Sequence, residues 1–306
     1  MTAFLLRRIG LALFVMFAVV TAVFFVLHAT GDPLGVALLG SGASLQDIER
    51  IKHELGYDRP IFVQFVDYIA GIFQGRFGIS MQYGQDSMAL VLERLPHTLQ
   101  LAAAALVITV VVAIPLGVLA AVRRGGVTDK FVIAFAAIGQ SVPPFVVGPV
   151  LILIFAVALR WLPVAGVGSP SSIVLPAITL ALFPLARVTR LVRTSMLEVL
   201  ESDYVTTARA KGQREGIVIM SHAFRNALLA VITVIALQIT SMIGGAVIVE
   251  SVFGWPGIGS FARTALINSD FNLAQTIVIV TAAGVVIVNL LTDIAYSVLD
   301  PRIGLK

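Results

Sequence analysis

Residues Leu99 to Val122 read LQLAAAALVITVVVAIPLGVLAAV, 24 residues without a charged side chain. As an α-helix rising 1.5 Å per residue the stretch would span about 36 Å. That is enough to cross the roughly 30 Å hydrocarbon core of a bilayer. Backbone groups in such a core must be bonded within their own segment, so the stretch reads as a helix. Working outward, charge-free runs of the same order occur at Ile9–Leu27, Phe131–Leu159, Leu228–Val249 and Phe271–Thr292. A weaker sixth, Ser171–Ala186, is interrupted by Pro176 and Pro184. The fold class expected is an all-α polytopic membrane protein with six transmembrane helices.

Composition agrees. Of 306 residues, 58% are hydrophobic, 12% are charged and none is cysteine, and the mean hydropathy is +0.99. A soluble domain carries about 25% charged residues, so a soluble enzyme and a disordered chain are both excluded. Without cysteine there is no disulfide framework and no thiolate metal site. Ile9–Leu27 follows Arg7-Arg8 as a signal peptide would. Its 19 uncharged residues exceed the usual apolar region, however, and no small-x-small site follows. It is read as a retained first span.

The net charge of +4 reflects orientation rather than nucleic-acid binding. Seven Lys and Arg fall in the odd-numbered connections, and fourteen in the termini and the other connections. Setting aside the long first connection, which translocates largely regardless of charge, the ratio is fourteen to two. Both termini are therefore expected in the cytoplasm. The expected organisation is a first span plus a long extracytoplasmic segment over residues 1–97. A five-helix core over 98–306 follows, with a cytoplasmic loop at about 196–226.

The outer segment opens with Gly31-Asp32-Pro33. It then shows a helix start at Ser44, with Asp47 three residues on, and a stop at Gly56. Pro60 precedes an amphipathic run, Ile61–Phe73, suited to the membrane interface. A folded cap over the spans and a docking surface for an outer partner are both compatible with it.

On the cytoplasmic side, Arg187, Arg190 and Arg193 extend the fourth helix with a basic face expected to anchor at anionic headgroups. Asp203 then starts a short helix, which Lys211-Gly212 ends with a basic last turn and a C′ glycine. A second helical stretch runs through His222 and Arg225-Asn226 into the fifth span. Such a rigid, basic, exposed helix–glycine–helix suits transmission of force to another subunit.

Here the sequence resembles the inner-membrane permease subunits of binding-protein-dependent ABC importers, in particular the dipeptide/oligopeptide/nickel branch. The resemblance rests on Asp203-Tyr204, Thr207-Ala208-Arg209-Ala210-Lys211-Gly212, His222 and Arg225-Asn226-Ala227-Leu228, which look like that branch's EAA loop. It extends to Gly31-Asp32-Pro33, Leu55-Gly56-Tyr57-Asp58-Arg59-Pro60, Gly78-Ile79-Ser80, Trp161-Leu162-Pro163 and Glu250 to Gly259. Thr206-Thr207-Ala208 departs from the broader family's Glu-Ala-Ala, and Phe224-Arg225 from its terminal Leu-Pro. The type I importer permease architecture is implied, in a multi-pass protein of the bacterial inner membrane.

The resemblance further implies four partners besides the lipid bilayer: a second homologous permease, two ABC ATPase subunits and an extracytoplasmic solute-binding protein. Asp203, Tyr204, Thr207, Ala208, Arg209, Ala210, Lys211 and Gly212 would form the ATPase-coupling segment. Small peptides are the implied cargo, with nickel, glutathione or another small solute as the alternative. No cofactor is expected in this chain, since ATP and Mg²⁺ would sit in the partner ATPases.

The chain's own chemistry is sparse. It has no Walker A pattern, G-x-S-x-G or H-E-x-x-H, and His28, His53, His97 and His222 are scattered. It is expected not to be an enzyme. Polar residues in spans face cavities or other helices, which makes Gln140, Ser141, Gln238, Ser241, Asn289 and Asp293 candidates for a translocation path. Close helix packing is the plainer role for each. A stand-alone secondary transporter would need intramembrane charge, of which Asp293 at one end is thin provision. An intramembrane protease lacks a nucleophile–base pair.

Overall fold

A computed structural model describes residues 2–29, 46, 49, 50, 52, 53 and 56–299. Gly31-Asp32-Pro33, the helix start at Ser44 and Asp47, and Leu55 lie outside the described residues. The described helices are α1 (Thr2–Ala29), α2 (Ile61–Phe73), α3 (Ser87–Val122), α4 (Val127–Ser141), α5 (Pro144–Leu151), α6 (Val174–Leu200), α7 (Asp203–Ala210), α8 (Glu215–Ile217), α9 (Arg225–Phe253), α10 (Ile258–Ile267) and α11 (Phe271–Leu299). Wider π-helical turns extend α5 over Ile152–Ala158 and join α8 to α9 over Val218–Phe224.

Among the described residues, five helices are long and apolar enough to span a membrane; a bent pair, α4 with α5 and its extension, makes the sixth. That bend corrects the expectation of one continuous helix over Phe131–Leu159. The chain turns by 108° between Ser141 and Pro144. Val142 is extended at φ −93°, ψ 119°, and Pro143 at φ −65°, ψ 147°. Each precedes a proline, whose ring excludes the helical region for the residue before it. The span around Pro176 and Pro184 reads weakest because it faces protein more than lipid. In α6, 67% of the apolar window is buried, against 33% in α3. A buried helix needs small and polar groups where a lipid-facing one needs apolar ones.

The described chain divides into two compact units, Met1–His97 with Pro256–Ile287, and Thr98–Trp255 with Val288–Lys306. The first unit adds Pro256–Ile287 to the N-terminal segment, a grouping not evident in the sequence. Its core gathers Leu27, Leu90 and Val91 with Ile258, Phe261 and Leu273. Buried Asp270 accepts hydrogen bonds from the Ser80 hydroxyl and from the backbone N–H groups of Gln82 (3.2 Å) and Leu273 (3.2 Å). Asp270→Ala removes the cap on α11 and the acceptor of both the buried Ser80 O–H and the Gln82 N–H, leaving Ser80 only the hydrogen bond it accepts from Tyr83 N–H at 3.1 Å. The expected cost is about 2 kcal/mol, read as a lower unfolding midpoint in detergent.

In the second unit α6 is central. One cluster joins Leu101, Leu175, Leu180, Met242, Val249 and Phe253; another joins Ala113, Leu185, Val188, Val192, Met196 and Val231. An ion pair corrects the reading of Arg193 as a headgroup anchor. Its Nε donates to Asp129 Oδ1 at 2.5 Å and its Nη2 to Oδ2 at 2.9 Å. Arg187 and Arg190 remain exposed. A three-residue spacing turns 300° per step on a helix of 3.6 residues per turn. The three arginines therefore fan around the helix, and only the third meets α4.

Candidate functional site

Between the spans α6 and α9 the chain forms α7. Ser202 precedes it in the extended conformation (φ −76°, ψ 151°) and Asp203 is its first residue, where a carboxylate favours the helix's positive end. Gly212 ends it at φ +74°. That left-handed turn lets Gly212 N–H donate to Arg209 O at 2.9 Å and Gln213 N–H to Ala208 O at 3.4 Å, the paired bonds of a Schellman stop. A Cβ at Gly212 would meet no neighbouring atom, so the glycine serves backbone conformation, not space.

Only Val205 and Ala208 of this helix are buried, against Val218 with Val199 and Leu200 alongside. Asp203, Tyr204, Thr207, Arg209, Ala210, Lys211 and Gly212 are exposed. The motif residues downstream hold the helix in place. Asn226 Nδ2 donates to the Tyr204 hydroxyl at 2.8 Å, and His222 Nε2 hydrogen-bonds Gln213 Oε1 at 2.8 Å. Arg209 Nη2 donates to Glu215 Oε1 at 2.7 Å, closing the last turn of α7 onto α8. This hydrogen bond holds the Glu215 carboxyl below its ordinary range and raises the Arg209 guanidinium. The pair is thus intact at neutral pH and lost only as the pH falls below the ordinary carboxylate range. Sequence reasoning found α7 through its local stop signals. It missed these fasteners, whose partners lie six to 22 residues away.

The path candidates form separate groups. Gln140 and Ser141 stand at the 108° bend. Gln140 is half-buried and its buried Nε2 has no hydrogen-bond partner among the described residues. The Ser141 hydroxyl donates back to Ala137 O at 2.8 Å. On α9, Gln238 is 2% exposed, and Ser241 donates to its carbonyl at 2.8 Å. Asn289 is exposed, its Oδ1 accepting from Thr240 Oγ1 at 2.9 Å; Thr240 had not been singled out. Asp293 is half-buried one turn further along. Glu250 is fully buried, accepting from Thr98 Oγ1 at 2.6 Å. Among the described residues no three His, Asp or Glu side chains converge as metal ligands.

A short, largely exposed helix with a basic last turn, fastened between two membrane spans, is therefore the site to be matched. Residues 113–305 match the family model described as the binding-protein-dependent transport system inner membrane component, and residues 1–102 match its N-terminal companion. The chain belongs to this family. These inner membrane components have full-length relatives among curated proteins. A probable peptide ABC transporter permease of Sinorhizobium fredii is 39% identical over 99% of both chains. The dipeptide transport system permease DppB of Escherichia coli is 36% identical over 100% of both. Among solved structures, an inward-facing MetNI methionine ABC transporter chain superposes with a TM-score of 0.60 at 18% identity, covering 70% of this chain and 97% of that one. The fold is that of ABC importer permeases, and the protein is a multi-pass component of the bacterial inner membrane.

Proposed function

We propose that this inner membrane component forms half of the translocation path of an ATP-driven importer of di- and oligopeptides, working by alternating access. The observation that carries the reading is α7: an eight-residue helix held by two buried side chains and three polar fasteners, with its basic end exposed. The full-length relatives named as peptide permeases support the cargo.

The chain is proposed to be no enzyme and to need no cofactor of its own. ATP and Mg²⁺ belong to two partner ATPases, one of which receives α7. A second, homologous permease completes the path, and an extracytoplasmic binding protein delivers the peptide. Within the coupling segment the roles divide. Asp203, Tyr204, Thr207, Arg209, Ala210 and Lys211 present the docking face, Ala208 anchors it and Gly212 sets its end. Among the path candidates, exposed Ser141 and Asn289 suit contact with the path, whereas buried Gln238 suits its support.

Lys211→Glu reverses an exposed charge without touching the core. Dipeptide uptake by the reconstituted complex is expected to fall several-fold at an unchanged membrane level, because a charge complement across a docking face sets partner association. Unchanged uptake would reject the coupling role. Saturable uptake by the chain alone without nucleotide would reject the importer reading.

A further inference from the structure

A cavity of about 440 Å³ opens in the second unit between the last turns of α3 and the π-helical link from α8 to α9. Ile114, Val118 and Val122 form one wall, and Ile219, Met220 and Phe224 the other. The surface is apolar, yet it is left unfilled by protein. Gly216 lies on its rim, and a Cβ there would meet nothing within 4 Å. Met220 is 56% exposed and Val122 44%, so the walls stand bare rather than packed.

The charges beside the groove name its occupant. Arg123 directly follows Val122, Arg214 lies two residues before Gly216, and Arg225 directly follows Phe224. All three are exposed, and none forms an ion pair among the described residues. Neighbouring arginines do: Arg124 with Glu201, Arg193 with Asp129 and Arg209 with Glu215. Glu201, Asp129 and Glu215 are thus engaged by other arginines, and Arg123, Arg214 and Arg225 make no ion pair within the described chain that an outside anion would have to displace. An apolar slot at the basic end of a membrane span, with three exposed arginines one or two residues in sequence from its lining, fits a molecule with an acyl tail and a phosphate. Arginine's planar fork suits such a phosphate.

We infer that the groove binds an anionic phospholipid of the cytoplasmic leaflet. One acyl chain lies between α3 and the π-helical link, and the phosphate lies at Arg123, Arg214 and Arg225. Wide π-helical turns recur at functional sites, and this one is the groove's wall and the root of the α7 connection. Whether bound lipid also tunes coupling rests on the function proposed above; the binding does not.

The test uses the full-length chain with its native partners in nanodiscs, labelled by phosphatidylglycerol or phosphatidylcholine carrying a photoreactive acyl chain. Adducts are expected to concentrate on residues 114–122 and 216–224 with the phosphatidylglycerol probe. They should be lost in Gly216→Phe, which fills the slot. Each of Arg123→Gln, Arg214→Gln and Arg225→Gln should weaken labelling about fivefold, the factor for one basic side chain at an anionic surface; these variants leave the groove's packing intact should Gly216→Phe misfold. Equal labelling by both lipids would overturn the inference. So would adducts spread evenly along α3, or a groove labelled in the lone chain but shielded in the complex, which would assign it to a partner subunit.

Discussion

Replacing Arg193 with methionine is expected to destabilise the folded protein by about 3 kcal/mol, the lower end of the range for breaking a buried ion pair. The asymmetry of the pair sets the sign and order of the variants. The Asp129 side chain is 4% exposed and the Arg193 side chain 21%. Removing the arginine therefore strands a carboxylate that is itself almost wholly covered, with only the Gly125 N–H, at 2.9 Å, still bonded to it. Removing the acid instead leaves a guanidinium on a flexible stem that reaches solvent, so Asp129→Asn should cost less. The double variant Asp129→Leu/Arg193→Met should recover most of the loss, since replacing both partners by apolar groups removes the desolvation cost as well as the attraction. Unfolding midpoints in detergent across the four proteins measure this. Equal costs for the two single variants, or a double variant no more stable than Arg193→Met alone, would contradict a buried pair.

What the sequence disclosed, and what it withheld, divides by how local the physics is. The spans were legible because lipid leaves no alternative to a long uncharged helix. The stop at Lys211-Gly212 was legible because a Schellman turn is written in neighbouring residues. The bend at Val142 had a written signal too, Pro143-Pro144, which marks an interruption of the apolar run but not the angle through which the chain turns. Other features had no local signature. Arg193 finds Asp129 across 64 residues, and Thr98 finds Glu250 across 152. An arginine spacing on one helix is silent about a carboxylate on another, and so a pairing residue was read as a headgroup anchor. In the candidate site the fold of α7 was readable for the same reason that its fasteners, Asn226 to Tyr204 and His222 to Gln213, were not.

Gly117→Leu is expected to cost about 3 kcal/mol, the upper part of the range for overpacking a tight core. A Cβ built on Gly117 falls 2.6 Å from Val192 Cβ and 2.7 Å from the carbonyl oxygen of Thr189. These atoms belong to α6, the central helix of the second unit, and one of them is backbone. Neither can turn aside, so α3 must move off α6 or the side chain cannot be accommodated. Gly117→Ala sets two effects against each other. Helix propensity favours alanine by about 1 kcal/mol, while the first added carbon already meets both atoms. Because the clash includes backbone, it should win, leaving a net loss of about 1 kcal/mol. Gly216→Ala, where the added carbon meets nothing, isolates the propensity term and should be neutral to stabilising. Trimming Val192 to alanine should not rescue Gly117→Ala, because the Val192 Cβ and the Thr189 carbonyl both stay where they are. Unfolding midpoints for Gly117→Ala, Gly117→Leu, Gly216→Ala and the Gly117→Ala/Val192→Ala pair would decide it. A stabilised Gly117→Ala, or a full rescue by Val192→Ala, would mean that α3 and α6 do not approach this closely in the membrane.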